Sequence, residues 1–280
     1  MLWPNQAMAA ADTLPPAAVV FLLLLAPALG SFLGVLVDRL PRGEDVLRAA
    51  SRCRSCETRL GLRDLVPILS FVCSRGRCRH CGTAIPPWCL YLEILATGSA
   101  VLALAAGGGG ATVLLSCLFL WCLLALGLCD LLWLRLPDGL TLALAVVVLI
   151  WAWLGGRQDL GLALLGAGLG MGSFLLLRLG YQKLRAREGL GLGDVKLMAG
   201  LGGFAGPFDL PLLVLVAALL ALAAGFCGRG RRWWRRPEGQ AEDEAGHRGP
   251  LGQQALPFGS ALCAAAALLW LLRAAGASPL

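Results

Sequence analysis

A chain of 280 residues is long enough for one large soluble domain or two small ones. Its composition excludes both: 58% of the residues are hydrophobic and 15% charged, against about 45–50% and 25% in soluble domains, and mean hydropathy is +0.75. Such an apolar excess assigns the chain to a lipid bilayer, where its 37 glycines suit close packing of helices. The net charge of +7 would fit nucleic acid, but the basic residues lie between apolar runs, so no nucleic-acid partner is expected.

A spanning helix needs roughly 20 mostly apolar residues. Eight segments qualify in chain order: 15–37, 88–107, 111–129, 139–154, 160–180, 196–208, 210–227 and 255–274. The expected fold is all-α, a polytopic membrane protein of about eight transmembrane helices. Residues 1–37 form the first span, 38–88 a cytoplasmic cysteine loop and 89–280 the transmembrane core. Pro27 inside the first span is tolerated where neighbouring helices satisfy the freed carbonyl. The fourth and sixth segments are short, and Gly107 to Gly110 reads as a tight turn.

Basic residues set the orientation. With loops 38–88, 130–138, 178–196 and 228–252 inside, 22 of the 24 lysines and arginines are cytoplasmic, and only Arg157 and Arg273 lie opposite. Lys and Arg collect on the cytoplasmic side, so both termini are expected outside the cytoplasm. No basic residue precedes Arg39, whereas a cleaved signal peptide carries a basic n-region. The first span is therefore expected to be retained.

The first internal loop holds Cys53-Arg54-Ser55-Cys56 and Cys78-Arg79-His80-Cys81, separated by 21 residues. Two such C-x-x-C pairs can close a four-thiolate zinc site, giving a zinc-ribbon-like loop, and a reducing cytoplasm favours metal over disulfides. Free thiols in a basic loop are the alternative. His80 is expected to face solvent. The remaining cysteines, Cys73, Cys89, Cys117, Cys122, Cys129, Cys227 and Cys263, fall in or beside apolar segments and read as small hydrophobes.

Carboxylates at membrane depth are costly and tend to be functional. Asp130 ends the third span and Asp194 begins the sixth, so the orientation puts both at one depth near the cytoplasmic face. Two carboxylates facing one another in a partly dry site share a proton, which suits peptide hydrolysis without metal or covalent intermediate. Gly191 and Gly193 would let a helix or a substrate strand approach Asp194. Lys196 could instead hold Asp194 in a salt bridge. Asp138 reads as a helix N-cap after Pro137, and Glu93 as either a third functional acid or an interface residue. The stretch RRWWRR at 231–236 reads as a headgroup anchor.

Several motifs then resemble the type IV prepilin leader peptidases, membrane aspartic proteases of the GxGD type. GSFLGVLVDRLP at 30–41 is similar to the family's opening motif, and RGRCRHCG at 75–82 to its cysteine domain. Asp130-x7-Asp138 with Leu136-Pro137 is similar to its first aspartate motif, and GLGDVKL at 191–197 to its second. The resemblance implies that Asp130 and Asp194 are catalytic. It also implies that prepilins or pseudopilins are cut after a basic leader at the cytoplasmic face. Many members N-methylate the new terminus with S-adenosylmethionine, an activity tied to the region of Gly76, Cys53, Cys56, Cys78 and Cys81. Gly34, Asp38, Leu65 and Trp88-Cys89-Leu90 depart from the family pattern, all in the N-terminal region. A proton-relaying transporter and a zinc-stabilised scaffold for pilus or secretion assembly are the competing readings.

Overall fold

The computed structural model describes residues 14–46, 50–155, 157–185, 191–228 and 257–276. Among them the regular structure is helical, with no strand beyond two isolated bridges, Arg52 with Arg59 and Arg77 with Ala84. Helix α1 (Pro16–Arg39) begins on a proline at its first position, where the missing N–H has no intrahelical use. A short α2 (Leu69–Cys73) lies in the cysteine loop. Helix α3 (Pro87–Ala106) stops at Gly107, whose φ of 74° leaves the helical region, and α4 (Gly110–Trp133) starts three residues later. Then follow α5 (Asp138–Gly155), α6 (Arg157–Arg185), α7 (Leu192–Gly228) and α8 (Phe258–Ala274).

Six of these helices are long and apolar enough to cross a membrane: α1, α3, α4, α5, α6 and α7; α8 is apolar but only 17 residues long. The expected number of eight is therefore approximate, and α7 explains much of the difference. It contains both expected segments, 196–208 and 210–227, and breaks at Gly206 (φ 73°, ψ 175°), just before Pro207. The Met198 carbonyl oxygen and Leu210 Cδ1 lie 2.8 and 3.4 Å from one point, the place a Cβ on Gly170 would take. A continuous helix would separate residues 198 and 210 by about 18 Å. The chain therefore folds back at Gly206 into two arms, 192–205 and 207–228.

Helix α4 is the centre of the bundle and packs against α1, α3, α5 and α8. Phe119 on α4 meets Phe204 on α7 at 4.3 Å between ring centroids and Trp151 on α5 edge-on at 6.2 Å. The Trp121 indole donates to the Ala96 carbonyl of α3 at 3.0 Å. Between α6 and α7 the contact is backbone on backbone. A Cβ on Gly166 would run into the Gly202 carbonyl, and one on Gly170 would lie 2.8 Å from the Met198 carbonyl. This is the small-residue packing that membrane helices use in place of a hydrophobic drive.

The fold at Gly206 has its own clasp. Arg273, in the last turn of α8, donates to the carbonyls of Phe204 and Ala205, each at 2.8 Å, and to Asp209 Oδ2 at 2.5 Å. It thereby satisfies carbonyls left open at the end of the first arm; Asp209 is buried, and the Arg273 side chain is only 10% exposed.

Candidate active site and cysteine centre

Asp130 sits in the last turn of α4, which closes when Leu134 turns left-handed (φ 51°) and its N–H returns to the Asp130 carbonyl at 3.0 Å. Asp194 sits in the first turn of α7. Both carboxylates line one cavity of about 490 Å³, bordered also by Leu136, Asp138, Gly193 and Lys196. They are near enough to feel each other's charge. Asp130 is only 6% exposed, and its Oδ2 accepts the Ser260 backbone N–H at 2.6 Å, where α8 begins. Asp194 is half-buried and faces the backbone N–H of Gly191.

Two glycines, Gly193 and Gly259, make room for Leu136 at the wall of this cavity. A Cβ on Gly193 would lie 2.9 Å from Leu136 Cβ, and one on Gly259 would lie 3.1 Å from both Leu136 Cδ1 and Asp130 Cγ. The close approach at Gly193 is thus to Leu136, while Gly191 serves Asp194 itself. Lys196 donates to Asp138 Oδ1 at 2.7 Å, so its partner is Asp138 and not Asp194, the alternative its sequence position had left open. The Asp138 carboxylate lies nearer the lysine because α5 starts at the same rim of the cavity. Asp138 is the first residue of α5, not the residue before it. Arg135 donates to the Pro41 carbonyl at 3.2 Å and ties this rim to the end of α1.

The four loop cysteines converge. Their sulfurs all lie within 4.8 Å of one another, with Cys53 to Cys81 at 3.8 Å and Cys56 to Cys78 at 4.0 Å. A tetrahedron with Zn–S bonds near 2.3 Å has edges of about 3.8 Å, so the donor set fits zinc. The two knuckles are built alike. Cys53 N–H bonds to the Thr58 carbonyl and Cys78 N–H to that of Thr83, while Glu57 and Gly82 turn back to the carbonyls of Cys53 and Cys78. Glu57 and Gly82 both carry positive φ. The Thr83 hydroxyl, 3.3 Å from the sulfur, and then its backbone hold the Cys81 thiol down to about 6. Thr58 lowers Cys56 in the same way. His80 is exposed, as its sequence position suggested.

Gly76 (φ 67°) feeds the second knuckle, with the Phe71 ring 3.0 Å from where a Cβ would stand. Glu93 lies away from the aspartates. It is buried on α3, and its Oε2 accepts the Ile68 N–H at 2.6 Å, pinning the cysteine loop to the bundle. Beneath that loop is a second cavity of about 360 Å³, bordered among others by Asp38, Asp64, Phe71, Trp88 and Glu93. Arg54 bridges Asp38 at 2.5 Å and covers the Trp88 ring at 5.1 Å. Cys117, Cys129 and Cys263 are buried in the bundle. The side chain of Cys227 and the stretch 231–236 lie outside the described residues.

Comparison with known proteins decides the family. Residues 24–106 match the bacterial peptidase A24 N-terminal domain, and residues 117–226 the type IV leader peptidase family. A protein of Dickeya chrysanthemi named prepilin leader peptidase/N-methyltransferase is 34% identical over 240 residues, 78% of this chain and 85% of its own length. This chain belongs to the type IV leader peptidase family. Proteins of the same name from Klebsiella pneumoniae (36% identical, covering 71% of this chain and 90% of that one) and Burkholderia pseudomallei strain 1026b (33%, 78% and 80%) agree. No solved structure matches. With its apolar helices, this family member is a multi-pass inner-membrane protein.

Sequence reasoning passed over Gly259, Ser260 and the Arg273–Asp209 pair. Asp209 carried a usable signal, an acid inside an apolar run. The start of α8 carried a weaker one, since Pro257 followed by small residues marks a helix start without saying what the turn faces.

Proposed function

We propose that this protein is a membrane aspartic endopeptidase that removes the basic leader of type IV prepilins or pseudopilins, with Asp130 and Asp194 as the catalytic pair. The observation that carries this reading is the single cavity lined by both carboxylates at the ends of α4 and α7. Within such a pair one acid is ionised and the other protonated. The ionised acid takes a proton from water as the water oxygen bonds to the scissile carbonyl carbon, and the other gives its proton to the carbonyl oxygen. In the second half the newly protonated acid donates to the amide nitrogen and the C–N bond breaks. The other acid recovers a proton from the diol, which restores the starting state.

The basic loops argue that the cavity opens to the cytoplasm and that both termini lie on the far side. Cys53, Cys56, Cys78 and Cys81 hold zinc as a structural clamp, which keeps the cysteine loop over α1 and α3. Methylation of the new N-terminus belongs to the cavity beneath that loop. Its volume suits a nucleoside-sized ligand, and its lining of three carboxylates, Asp38, Asp64 and Glu93, among arginines such as Arg52 and Arg77 suits a zwitterion. S-adenosylmethionine would supply an electrophilic methyl group there, with Asp64 facing its cationic end and an arginine such as Arg52 or Arg77 its carboxylate. Family membership takes precedence over the transporter and scaffold readings.

The test is a purified prepilin mixed with the purified protein in detergent. The pilin should shorten by its leader, and with S-adenosylmethionine present its new terminus should gain one methyl group by mass. A prepilin left whole by correctly folded protein contradicts the peptidase. Cleavage with unmethylated product contradicts only the methyl-transfer assignment.

A further inference from the structure

The peptidase reading leaves unexplained why the last helix begins against an acid of the pair. Asp130 and Ser260 are 130 residues apart in sequence, yet the Ser260 N–H meets Asp130 Oδ2 at 2.6 Å. The first N–H groups of a helix have no intrahelical acceptor, and the positive end of the helix dipole lies at the same turn. Gly259 completes the fit, because a Cβ there would stand 3.1 Å from Asp130 Cγ and Oδ2 and from Leu136 Cδ1. The Ser260 hydroxyl is engaged elsewhere, donating to the Pro257 carbonyl at 2.7 Å. What Asp130 receives is therefore a backbone donor, independent of the side chain at 260.

We propose that the first turn of α8, Gly259-Ser260, is the positioning element of the catalytic pair. The Ser260 N–H fixes Oδ2 of Asp130, with the Gly259 N–H also donating to the carboxylate, and together they favour its ionised form. This rests on Asp130 being catalytic. Asp194 on α7, Cys129 on α4 and Cys263 on α8 are the titratable groups whose charge interacts with Asp130. Arg135, Asp138 and Lys196 border the same cavity.

Three substitutions separate donor from side chain. Ser260→Pro removes the N–H in the first turn, where proline is tolerated. Ser260→Ala keeps the N–H and loses only the hydroxyl. Gly259→Ala keeps the N–H but presses a methyl group on the carboxylate. Cleavage of a prepilin peptide is followed across pH, with rates taken per folded protein. Ser260→Pro should lower kcat about 10- to 100-fold, the range of a hydrogen bond to a charged group. It should also move the acid limb of the kcat/KM profile to higher pH, because a lost donor disfavours the carboxylate. Ser260→Ala should stay within about twofold of the parent, and Gly259→Ala should lower kcat about tenfold with little change in KM.

A Ser260→Pro protein with the parent's rate and profile overturns the proposal. If that variant does not fold, a Gly259→Ala protein with the parent's kcat overturns it instead. Asp130→Asn is assayed alongside. If it still cuts, the catalytic pair itself has failed. If it is dead while Ser260→Pro matches the parent, only the positioning role has failed.

Discussion

Lys196 on α7 donates to Asp138 on α5 across 2.7 Å, and so ties the starts of two helices together at the rim of the cavity that Asp130 and Asp194 line. Both side chains are well exposed, at 49% and 73%. An exposed ion pair is worth about 0–1 kcal/mol. Lys196→Ala should therefore leave the unfolding temperature in detergent nearly unchanged and cleavage within a few-fold of the parent. A loss of activity as complete as that of an aspartate variant would show that the lysine acts on substrate.

Gly193 is a packing requirement of the site. A methyl group there would lie 2.9 Å from Leu136 Cβ, too close without a shift of α7 and with it of Asp194. Gly193→Ala should lower kcat by about tenfold, since a misplacement of about 1 Å costs that much or more. Leu136→Ala in the same chain should restore part of the rate. No recovery in the double variant would place the role of Gly193 elsewhere, in contact with substrate.

The helical content and the position of the two acids at the ends of apolar runs were legible in the sequence because both follow from local signals. Apolar runs of spanning length specify α1, α3 and α4 by themselves, and Asp130 and Asp194 stand out as acids at the ends of such runs. The two C-x-x-C pairs were legible for the same reason, since ligand spacing is local. What escaped was tertiary. Nothing in residues 257–260 states that their N–H groups face an acid 130 positions away, and although the separate runs 196–208 and 210–227 anticipated a break near residue 206, nothing in them points to Arg273 as its clasp. The partner of Lys196 was not legible either, because its contact with Asp138 is created only by the packing of α5 against α7.

Arg273 is the keystone of that reversal. Its guanidinium holds Asp209 and two carbonyls at the end of the first arm of α7 and lies 4.8 Å from the centroid of the Phe204 ring. Removing one partner of a buried pair strands the other charge, at a cost of about 3–5 kcal/mol. Arg273→Met should lower the unfolding temperature markedly, and Arg273→Met with Asp209→Leu should recover much of the loss. A single variant as stable as the parent would show that the pair contributes nothing to the fold.

The cysteine centre gives a pH prediction. A thiol held down to about 6, as Cys81 is by Thr83, favours the thiolate above that value, and metal binding needs the thiolate. Stability drawn from the Cys81 thiolate is full above the ordinary thiol value of 9.0, partial at neutral pH and lost as pH falls through about 6. Purified protein should carry one zinc per chain at pH 7.5 and release it below about 6, followed with a zinc-sensitive dye. Cys53→Ser with Cys56→Ser should carry almost none. Equal zinc in that variant would remove the tetrathiolate assignment.

The central claim is that Asp130 and Asp194 act as one pair on the scissile bond. Its most direct measurement is the rate of leader removal from a purified prepilin by Asp130→Asn and by Asp194→Asn, each confirmed as folded at the parent's level. Both variants should lose cleavage by at least about 10³-fold, because neither acid alone can both activate water and protonate the carbonyl. Cleavage near the parent rate by either variant would contradict the account.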